Sequence, residues 1–256
     1  LIDRKDNIIH FSPDFHWKNV DIKKSFHERC DLPLFFDNVT RVMALGELWY
    51  GIGSKVRDFV VINIGYGIGA GIIMNKEPFY GPLGMAGEFG HMIMDKDSTV
   101  QCECGALGCL EALASGRAIA KQAQKLLKDG QESILSSQVS GDFSRIDAKM
   151  VAEAARHGDE LSKKIFEHAV SYLGVGITNL INLLTPEMIV IGGGVAQAKD
   201  LIFPEIRRIV NKRALRTSSE DIKVVSASFG MQAASRGAVA LVLNEVLNLN
   251  DSLFKH

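Results

Sequence analysis

Residues 102–111 read CECGALGCLE, and this segment holds three of the four cysteines in the 256-residue chain. In a reducing compartment, clustered thiols more often bind a metal than form disulfides. Structural zinc takes four nitrogen or sulfur ligands, so Cys102, Cys104 and Cys109 leave one position, and His91 in GEFGHM is the natural fourth ligand. The segment therefore predicts a closed structural zinc site. The alternative is a set of reduced cysteines packed as small apolar side chains.

Composition places the chain among ordinary globular proteins. Hydrophobic residues make up 46% of it, which is enough for one large domain or for two lobes with separate cores. Lys and Arg number 29 and Asp and Glu 30, so no basic surface for nucleic acid is expected. No apolar run reaches the roughly 18 to 20 residues of a membrane span, and no signal-peptide pattern opens the chain. A cytoplasmic location is the expectation.

Apolar patterning predicts an α/β architecture. Short runs rich in Val and Ile and bounded by Gly or polar residues predict strands, at 59–64, 71–74, 188–191 and 222–227. Apolar residues at helical spacing predict helices, at 110–128, 147–157 and 159–184. Strands that alternate with helices over this length are typical of an α/β fold.

Two glycine-rich turns are candidate phosphate sites. INIGYGIGAGII (62–73) reads as strand, turn and strand, which suits either a phosphate-binding turn or a tight hairpin. IVIGGGV (189–195) ends a strand shortly before a helix that begins near Ala198. Gly192, Gly193 and Gly194 therefore have a geometry compatible with phosphate binding, or they form a strand-to-helix turn that the fold requires. Neither spacing is that of a P-loop or of the dinucleotide fingerprint.

Together these segments resemble the ROK family of repressors and sugar kinases. The resemblance rests on the glycine-rich region from Ile64 to His91 with GEFGH, on CECGALGCLE and on VIGGGV. It implies a two-lobed, actin-like ATPase (ribonuclease H-like) fold with a structural zinc site. It also implies a small lobe of residues 1–38 plus 234–256, and a large lobe of residues 39–233 that carries the zinc site and an oligomerisation surface. Because the chain begins at Leu1 and has no Asp-x-Gly-Gly-Thr turn, we expect the N-terminal part of the small lobe to be absent.

The resemblance implies four sugar-binding residues, namely Asn38, Glu88, His91 and Glu111. A carboxylate can accept hydrogen bonds from two adjacent hydroxyls, and a metal-bound imidazole keeps its second nitrogen for the sugar. Each carboxylate has a plainer alternative as a solvated or helix-capping group. Asn38 has one as a helix N-cap.

One family position lacks the residue that catalysis needs. In FFDNVTRVMALGELWYG (35–51) the family's catalytic carboxylate would follow Asn38, and Val39 stands there. A general base must lie within roughly 2.6 to 3.2 Å of the attacking hydroxyl, and valine cannot accept a proton. Asp37 is two residues away, roughly 6.5 Å along an extended chain. Tyr66 also replaces the small hydroxyl residue of the family's kinases, so we predict no catalytic residue and no working kinase.

The sequence therefore favours the sugar-binding effector and oligomerisation domain of a ROK-family transcriptional regulator, from the family's repressor branch. Its expected partners are a monosaccharide and a second copy of the chain in a homodimer or homotetramer. Operator DNA would be bound only through an N-terminal domain outside this chain. The alternative is an ATP-dependent hexose or N-acetylhexosamine kinase, in which the turn at Gly192, Gly193 and Gly194 contacts adenosine.

Overall fold

The computed structural model describes residues 2–3, 8–12, 16–215 and 222–253, with side chains at all of these except 3 and 248–253. The chain forms two compact units. The first unit contains Leu1–Val61, Ala70–Glu88 and Ala227–His256, and the second unit contains Ile62–Gly69 and Phe89–Ser226. The lobes expected above, 1–38 with 234–256 and 39–233, follow from family resemblance rather than from contacts. That assignment stays a prediction.

The first unit has a small antiparallel sheet and three α-helices among its described residues. The sheet order is β1-β2-β3, with the strands β1 (Ile2–Asp3), β2 (Ile8–Ser12) and β3 (Trp17–Asp21). The helices are α1 (Ile22–His27), α2 (Val39–Tyr50) and α9 (Ala233–Leu253), and short 3-10 turns lie at Ile52–Lys55 and Gly230–Gln232. Asp21 caps α1 by accepting a hydrogen bond from the Lys24 N–H at 2.8 Å.

Helices α2 and α9 pack closely because glycines stand where they cross. A Cβ on Gly237 would overlap the carbonyl oxygen of Val42, and a Cβ on Gly46 would lie 3.1 Å from the Gly237 backbone. Buried Leu45 and Leu241 belong to one apolar cluster between these helices. The close crossing fixes α2, which begins directly after the candidate site residue Asn38.

Within the described part of the chain, the larger sheet has five strands in the order β6-β5-β4-β7-β8. The strands are β4 (Phe59–Ile64), β5 (Ile68–Met74), β6 (Glu77–Pro78), β7 (Met188–Gly192) and β8 (Lys223–Ser226). β7 and β8 are parallel, with Ile189 opposite Val224, whereas β6 is antiparallel to β5. These bounds confirm the strands predicted from Val and Ile runs, and β5 begins three residues earlier than predicted.

The second unit contains six α-helices among its described residues. They are α3 (Leu110–Ala114), α4 (Gly116–Lys128), α5 (Leu135–Gln138), α6 (Ala148–Arg156), α7 (Glu160–Leu184) and α8 (Lys199–Arg213). The prediction of a single helix over 110–128 is wrong, because the helix is interrupted at Ser115. Its hydroxyl accepts a hydrogen bond from the Ala118 N–H at 3.1 Å and starts a new helix.

The helices predicted over 147–157 and 159–184 are confirmed, and each begins after an aspartate that caps it. Asp147 accepts from the Met150 N–H at 2.8 Å, and Asp159 accepts from the Ser162 N–H at 2.9 Å. Along α7 the inward face is fully buried, with Ile165 and Ile177 among its largest side chains. In the part of the chain that the structure describes, no helix combines the length and the apolarity needed to cross a membrane.

Candidate functional site

His91, Cys102, Cys104 and Cys109 converge in the second unit, and their ligand atoms all lie within 4.8 Å of one another. Cys102 Sγ lies 3.6 Å from His91 Nδ1, and Cys104 Sγ lies 3.7 Å from Cys109 Sγ. A tetrahedral zinc ion would separate two sulfurs by about 3.8 Å, and a sulfur from a nitrogen by about 3.6 Å. The donor set and its spacing therefore fit a metal ion.

The backbone of residues 89–109 brings these four side chains together. Ile93 is bridged to Cys109, and Gln101 is bridged to Leu107, so the segment folds back on itself. Gly108 has a positive φ of 72°, and a Cβ there would overlap the carbonyl oxygen of Asp95. Only glycine tolerates both conditions. We call residues 91–109 the metal loop.

Burial sets the protonation of two of the thiols. Burial raises the pKa of Cys109 to about 12 and also raises the pKa of Cys102. Without a cation both groups are therefore neutral at pH 7. A divalent ion stabilises the thiolates instead, so that metal binding would release protons.

Glu111 connects the start of α3 to the turn between β4 and β5. Its Oε2 accepts a hydrogen bond from the Ile68 N–H at 2.8 Å, and its Oε1 lies 3.5 Å from Arg117 Nη2. A Cβ on Gly67 would overlap Oε2, so glycine is needed for this approach. Glu111 thus contacts another segment of the chain, rather than being the solvated or helix-capping group considered above. A carboxylate has about four acceptor positions, which leaves capacity for a further donor.

The turn at Gly65, Tyr66 and Gly67, which we call the glycine turn, is a hairpin connection. The Gly65 N–H donates to the Gly67 carbonyl at 2.9 Å. The Gly116 N–H donates to the Gly65 carbonyl at 2.8 Å, and the Arg117 N–H donates to the Tyr66 carbonyl at 3.4 Å. Two backbone N–H groups at the start of α4, which have no acceptor within the helix, therefore donate to carbonyls of the glycine turn. The structure shows the hairpin, and phosphate binding by this turn stays a prediction.

Asn38 and Glu88 belong to the first unit, whereas His91 and Glu111 belong to the second. Asn38 caps α2, since its Oδ1 accepts a hydrogen bond from the Thr40 N–H at 2.8 Å. The Glu88 side chain is exposed at the end of its segment. His91 thus lies with the cysteines, and Glu111 contacts the glycine turn. A shared role of all four residues in binding one sugar stays a prediction.

Arg41 is the residue that sequence reasoning missed beside Val39. Its Nε donates to Asp37 Oδ1 at 2.7 Å, and the two side chains are 5% and 0% exposed. Arg41 Nη1 also donates to the carbonyl oxygens of Gly84 and Ala86, at 3.1 and 3.3 Å. Opposite charges four residues apart at a helix start were a signal for this pair. Val39 itself is 49% exposed.

The second glycine turn has a structural explanation. Gly193 has a φ of 97°, and a Cβ there would overlap the Ile64 carbonyl oxygen and lie 2.5 Å from Asn63 Oδ1. The close passage of this turn over the end of β4 thus requires glycine. Gly192 is buried as the last residue of β7, and a Cβ on Gly194 would meet open space among the described residues. Nucleotide binding by these glycines stays a prediction.

Comparison with known proteins gives one family match over nearly the whole chain. The model of the ROK family matches residues 1–245. The xylose repressor of Caldicellulosiruptor bescii is 31% identical over 248 residues, which cover 97% of this chain and 61% of the repressor. The glucokinase of Halalkalibacterium halodurans is 34% identical over 245 residues, covering 94% of this chain and 73% of that enzyme. The chain spans about three fifths of the length of the repressors it matches.

Two solved structures agree with the observed fold. One is a ROK family transcriptional regulator described as a homolog of the Escherichia coli MLC protein, with a TM-score of 0.81 and 32% identity, covering 94% of this chain and 59% of the other. The other is a ROK glucokinase from Streptomyces griseus in complex with glucose and AMPPNP, with a TM-score of 0.84 and 30% identity, covering 94% of this chain and 78% of the other. The actin-like ATPase fold predicted from the sequence is thereby confirmed.

Proposed function

The chain belongs to the ROK family, and on that premise we propose that it is the sugar-binding effector and oligomerisation domain of a transcriptional regulator without kinase activity. The observation that carries this proposal is the side chain at position 39. The family's kinases need a proton acceptor there, and valine has none. Loss of a general base alone costs on the order of 10² to 10⁴ in rate.

Asp37 does not replace the missing base. Its carboxylate is buried and held by Arg41 at 2.7 Å. Turning it toward a substrate would leave the Arg41 charge buried without its partner, and breaking a buried ion pair costs about 3 to 5 kcal/mol. The ion pair therefore supports the loss of kinase activity, because it removes the nearest substitute carboxylate.

The proposed ligand is a neutral monosaccharide bound by Asn38, Glu88, His91 and Glu111. Relatives named for xylose and for glucose suggest a pentose or a hexose. The polar groups suit alternating hydroxyls, because the carboxylates accept hydrogen bonds while the Asn38 amide and the His91 ring can also donate.

The proposed metal is zinc, bound by His91, Cys102, Cys104 and Cys109 in a closed structural site. Nδ1 is the His91 nitrogen 3.6 Å from Cys102 Sγ, so zinc at Nδ1 would leave Nε2 as a donor toward the sugar. The same metal loop ends at Cys109, directly before the helix that carries Glu111. Zinc would therefore hold two of the proposed sugar-binding residues in place.

Control of transcription would require parts beyond this chain. We propose that operator DNA is bound by an N-terminal domain, and that this chain supplies the effector site and the contacts of a homodimer or homotetramer. A sugar can change DNA binding only by favouring one arrangement of the intact protein over another.

An ATP-dependent hexose or N-acetylhexosamine kinase is the second candidate. It is favoured by the 34% identity to a glucokinase and by the retained glycines 192 to 194. Against it stand Val39 and the buried Asp37.

Calorimetry and a coupled ATPase assay on the same purified chain separate the two candidates. D-Xylose, D-glucose and N-acetyl-D-glucosamine are titrated first without nucleotide and then assayed with ATP and Mg²⁺. We expect binding of at least one sugar and no sugar-dependent turnover. Turnover in the ordinary kinase range of about 1 to 100 per second would establish the kinase and end the regulator proposal.

A further inference from the structure

Arg117 occupies an unusual place for a cation, in the first turn of α4. A helix N-terminus carries partial positive charge and disfavours Lys and Arg. Here two carboxylates offset that cost, because Arg117 Nη1 lies 3.4 Å from Glu103 Oε1 and Nη2 lies 3.5 Å from Glu111 Oε1. The Arg117 and Glu111 side chains are only 15% and 13% exposed. The Arg117–Glu111 pair is therefore largely shielded from solvent and more strongly coupled than an exposed ion pair.

The guanidinium of Arg117 also contacts the glycine turn. Its Cζ lies 4.6 Å from the centroid of the Tyr66 ring, within the range of a cation–π contact. The Arg117 N–H donates to the Tyr66 carbonyl as well. Tyr66 is 64% exposed with this contact in place, and Arg117 lies against its ring.

One side chain thus joins three elements of the second unit. Glu103 stands between the candidate metal ligands Cys102 and Cys104, Glu111 lies in the first turn of α3, and Tyr66 is the tip of the glycine turn. Movement of any of these elements would change the surroundings of the same guanidinium.

As a consequence, both carboxylate oxygens of Glu111 are held in place. Oε2 accepts from the Ile68 N–H at 2.8 Å, and Oε1 faces Arg117 at 3.5 Å. A carboxylate fixed in this way presents its remaining lone pairs in one direction. Such preorganisation raises affinity, because less rotational freedom is lost when a ligand binds.

We infer that Arg117 is a positioning residue for the sugar, which orients Glu111 and couples it to the metal loop and to Tyr66. This inference rests on the proposed function, since it takes Glu111 to be a sugar-binding residue. A purely structural Arg117 would affect stability and metal content. A positioning Arg117 affects sugar affinity while metal content stays the same.

The test compares Arg117→Met and Arg117→Lys with the control Lys121→Met. Lys121 lies on the same helix and its Nζ is 3.2 Å from Glu103 Oε1, but its side chain is 66% exposed. Each zinc-loaded protein is titrated calorimetrically with whichever of D-xylose, D-glucose and N-acetyl-D-glucosamine binds the wild type. Bound metal is measured by plasma mass spectrometry.

We expect Arg117→Met to raise the sugar Kd about tenfold, the equivalent of one charge-assisted hydrogen bond. Arg117→Lys keeps the charge but not the planar stacking on Tyr66, and should raise Kd about threefold. Lys121→Met should bind as the wild type does, and metal content should be equal in all four proteins.

Failure of the inference is distinguishable from failure of the proposed function. If the wild type binds none of the sugars, the proposed function falls and this inference falls with it. If the wild type binds but Arg117→Met keeps its Kd, only the inference is overturned. Equal losses in Lys121→Met, or loss of sugar together with metal, would assign Arg117 a structural role. If Arg117→Met does not fold, a wild-type Kd for Arg117→Lys overturns the inference.

Discussion

At the scale of single residues, a buried ion pair lies beside Val39 and holds the start of α2. The Asp37 carboxylate and the Arg41 guanidinium are almost completely withdrawn from solvent, and Arg41 also ties the carbonyl oxygens of Gly84 and Ala86 to the start of α2. A pair of this kind is costly to break from one side, because the remaining charge stays buried without its counterion. Its effect on stability can therefore be tested.

Arg41→Met should lower the free energy of unfolding by about 3 to 5 kcal/mol, because it leaves the Asp37 carboxylate buried without its cationic partner. The measurement is urea unfolding followed by tryptophan fluorescence, which reports on the first unit through Trp17 and Trp49, and by circular dichroism, which reports on the helices of both units. Arg208→Met is the matched control, as its Glu205 pair is 62% and 32% exposed. A surface pair contributes about 0 to 1 kcal/mol, so equal losses in both variants would contradict the prediction.

Cys104→Ser tests the metal loop with a change of one atom. Serine is a poor zinc ligand, so we expect both the bound metal and the sugar affinity to fall. Metal content and calorimetric sugar binding are measured on the same sample. Cys30→Ser is the control, because Cys30 lies outside the cluster. Unchanged sugar binding by zinc-free Cys104→Ser protein would refute the role of the metal in holding His91 and Glu111.

At the scale of elements, aspartate caps set where helices begin. Asp159 caps α7 and also accepts hydrogen bonds from the Ser133 hydroxyl and the Ile134 N–H, at 2.9 and 3.1 Å. Burial by itself would raise the pKa of Asp159, but the hydrogen bonds from Ser162, Ile134 and Ser133 outweigh it, and the pKa is lowered. One carboxylate thus joins the loop before α5 to the longest helix.

Asp159→Ala should lower the free energy of unfolding at pH 7 by about 0.5 to 2 kcal/mol. Since the pKa is lower in the folded state, the stabilisation is complete above the unfolded value of about 3.9 and is lost as pH falls through the folded value. The difference from wild type, measured by urea unfolding with circular dichroism, should therefore shrink below about pH 4. Asp147→Ala removes a cap without these additional bonds and should cost less at pH 7. A difference that grows toward low pH would contradict this account.

At the scale of the whole molecule, the fold is common to repressors and kinases, and the chain spans only part of the length of both. Fold similarity does not choose between the two activities. The choice rests on individual side chains, above all Val39, and on how the chain assembles.

Light scattering after size exclusion should show a dimer or a tetramer, because a repressor that reads symmetric operators is expected to be a symmetric oligomer. Only monomer across the concentration range would count against the regulator proposal.

A saturating sugar should also raise the melting temperature, since ligand at about 100 times its Kd adds about 2.7 kcal/mol of stability. Galactitol or another open-chain polyol is a suitable control ligand.

Much of this protein was predictable from short segments of its sequence. The cluster of His91 with three cysteines, the strands, the helices that begin after Asp147 and Asp159, and the valine at position 39 depend on residue type and close spacing, and these are local properties. The interruption of the helix at Ser115 is also a local feature, but it was not predicted. The apolar pattern continues from α3 into α4, although the helical conformation of the backbone does not.

The pairings between distant segments came only from the folded chain. Glu111 reaches Ile68 across 43 residues, Arg41 reaches Gly84 across 43 residues, and Arg117 stacks on Tyr66. No spacing rule predicts such contacts, because they exist only after strands and helices have packed and have excluded water from between them. Residue identity thus says which chemical groups are present, whereas packing decides which of them meet.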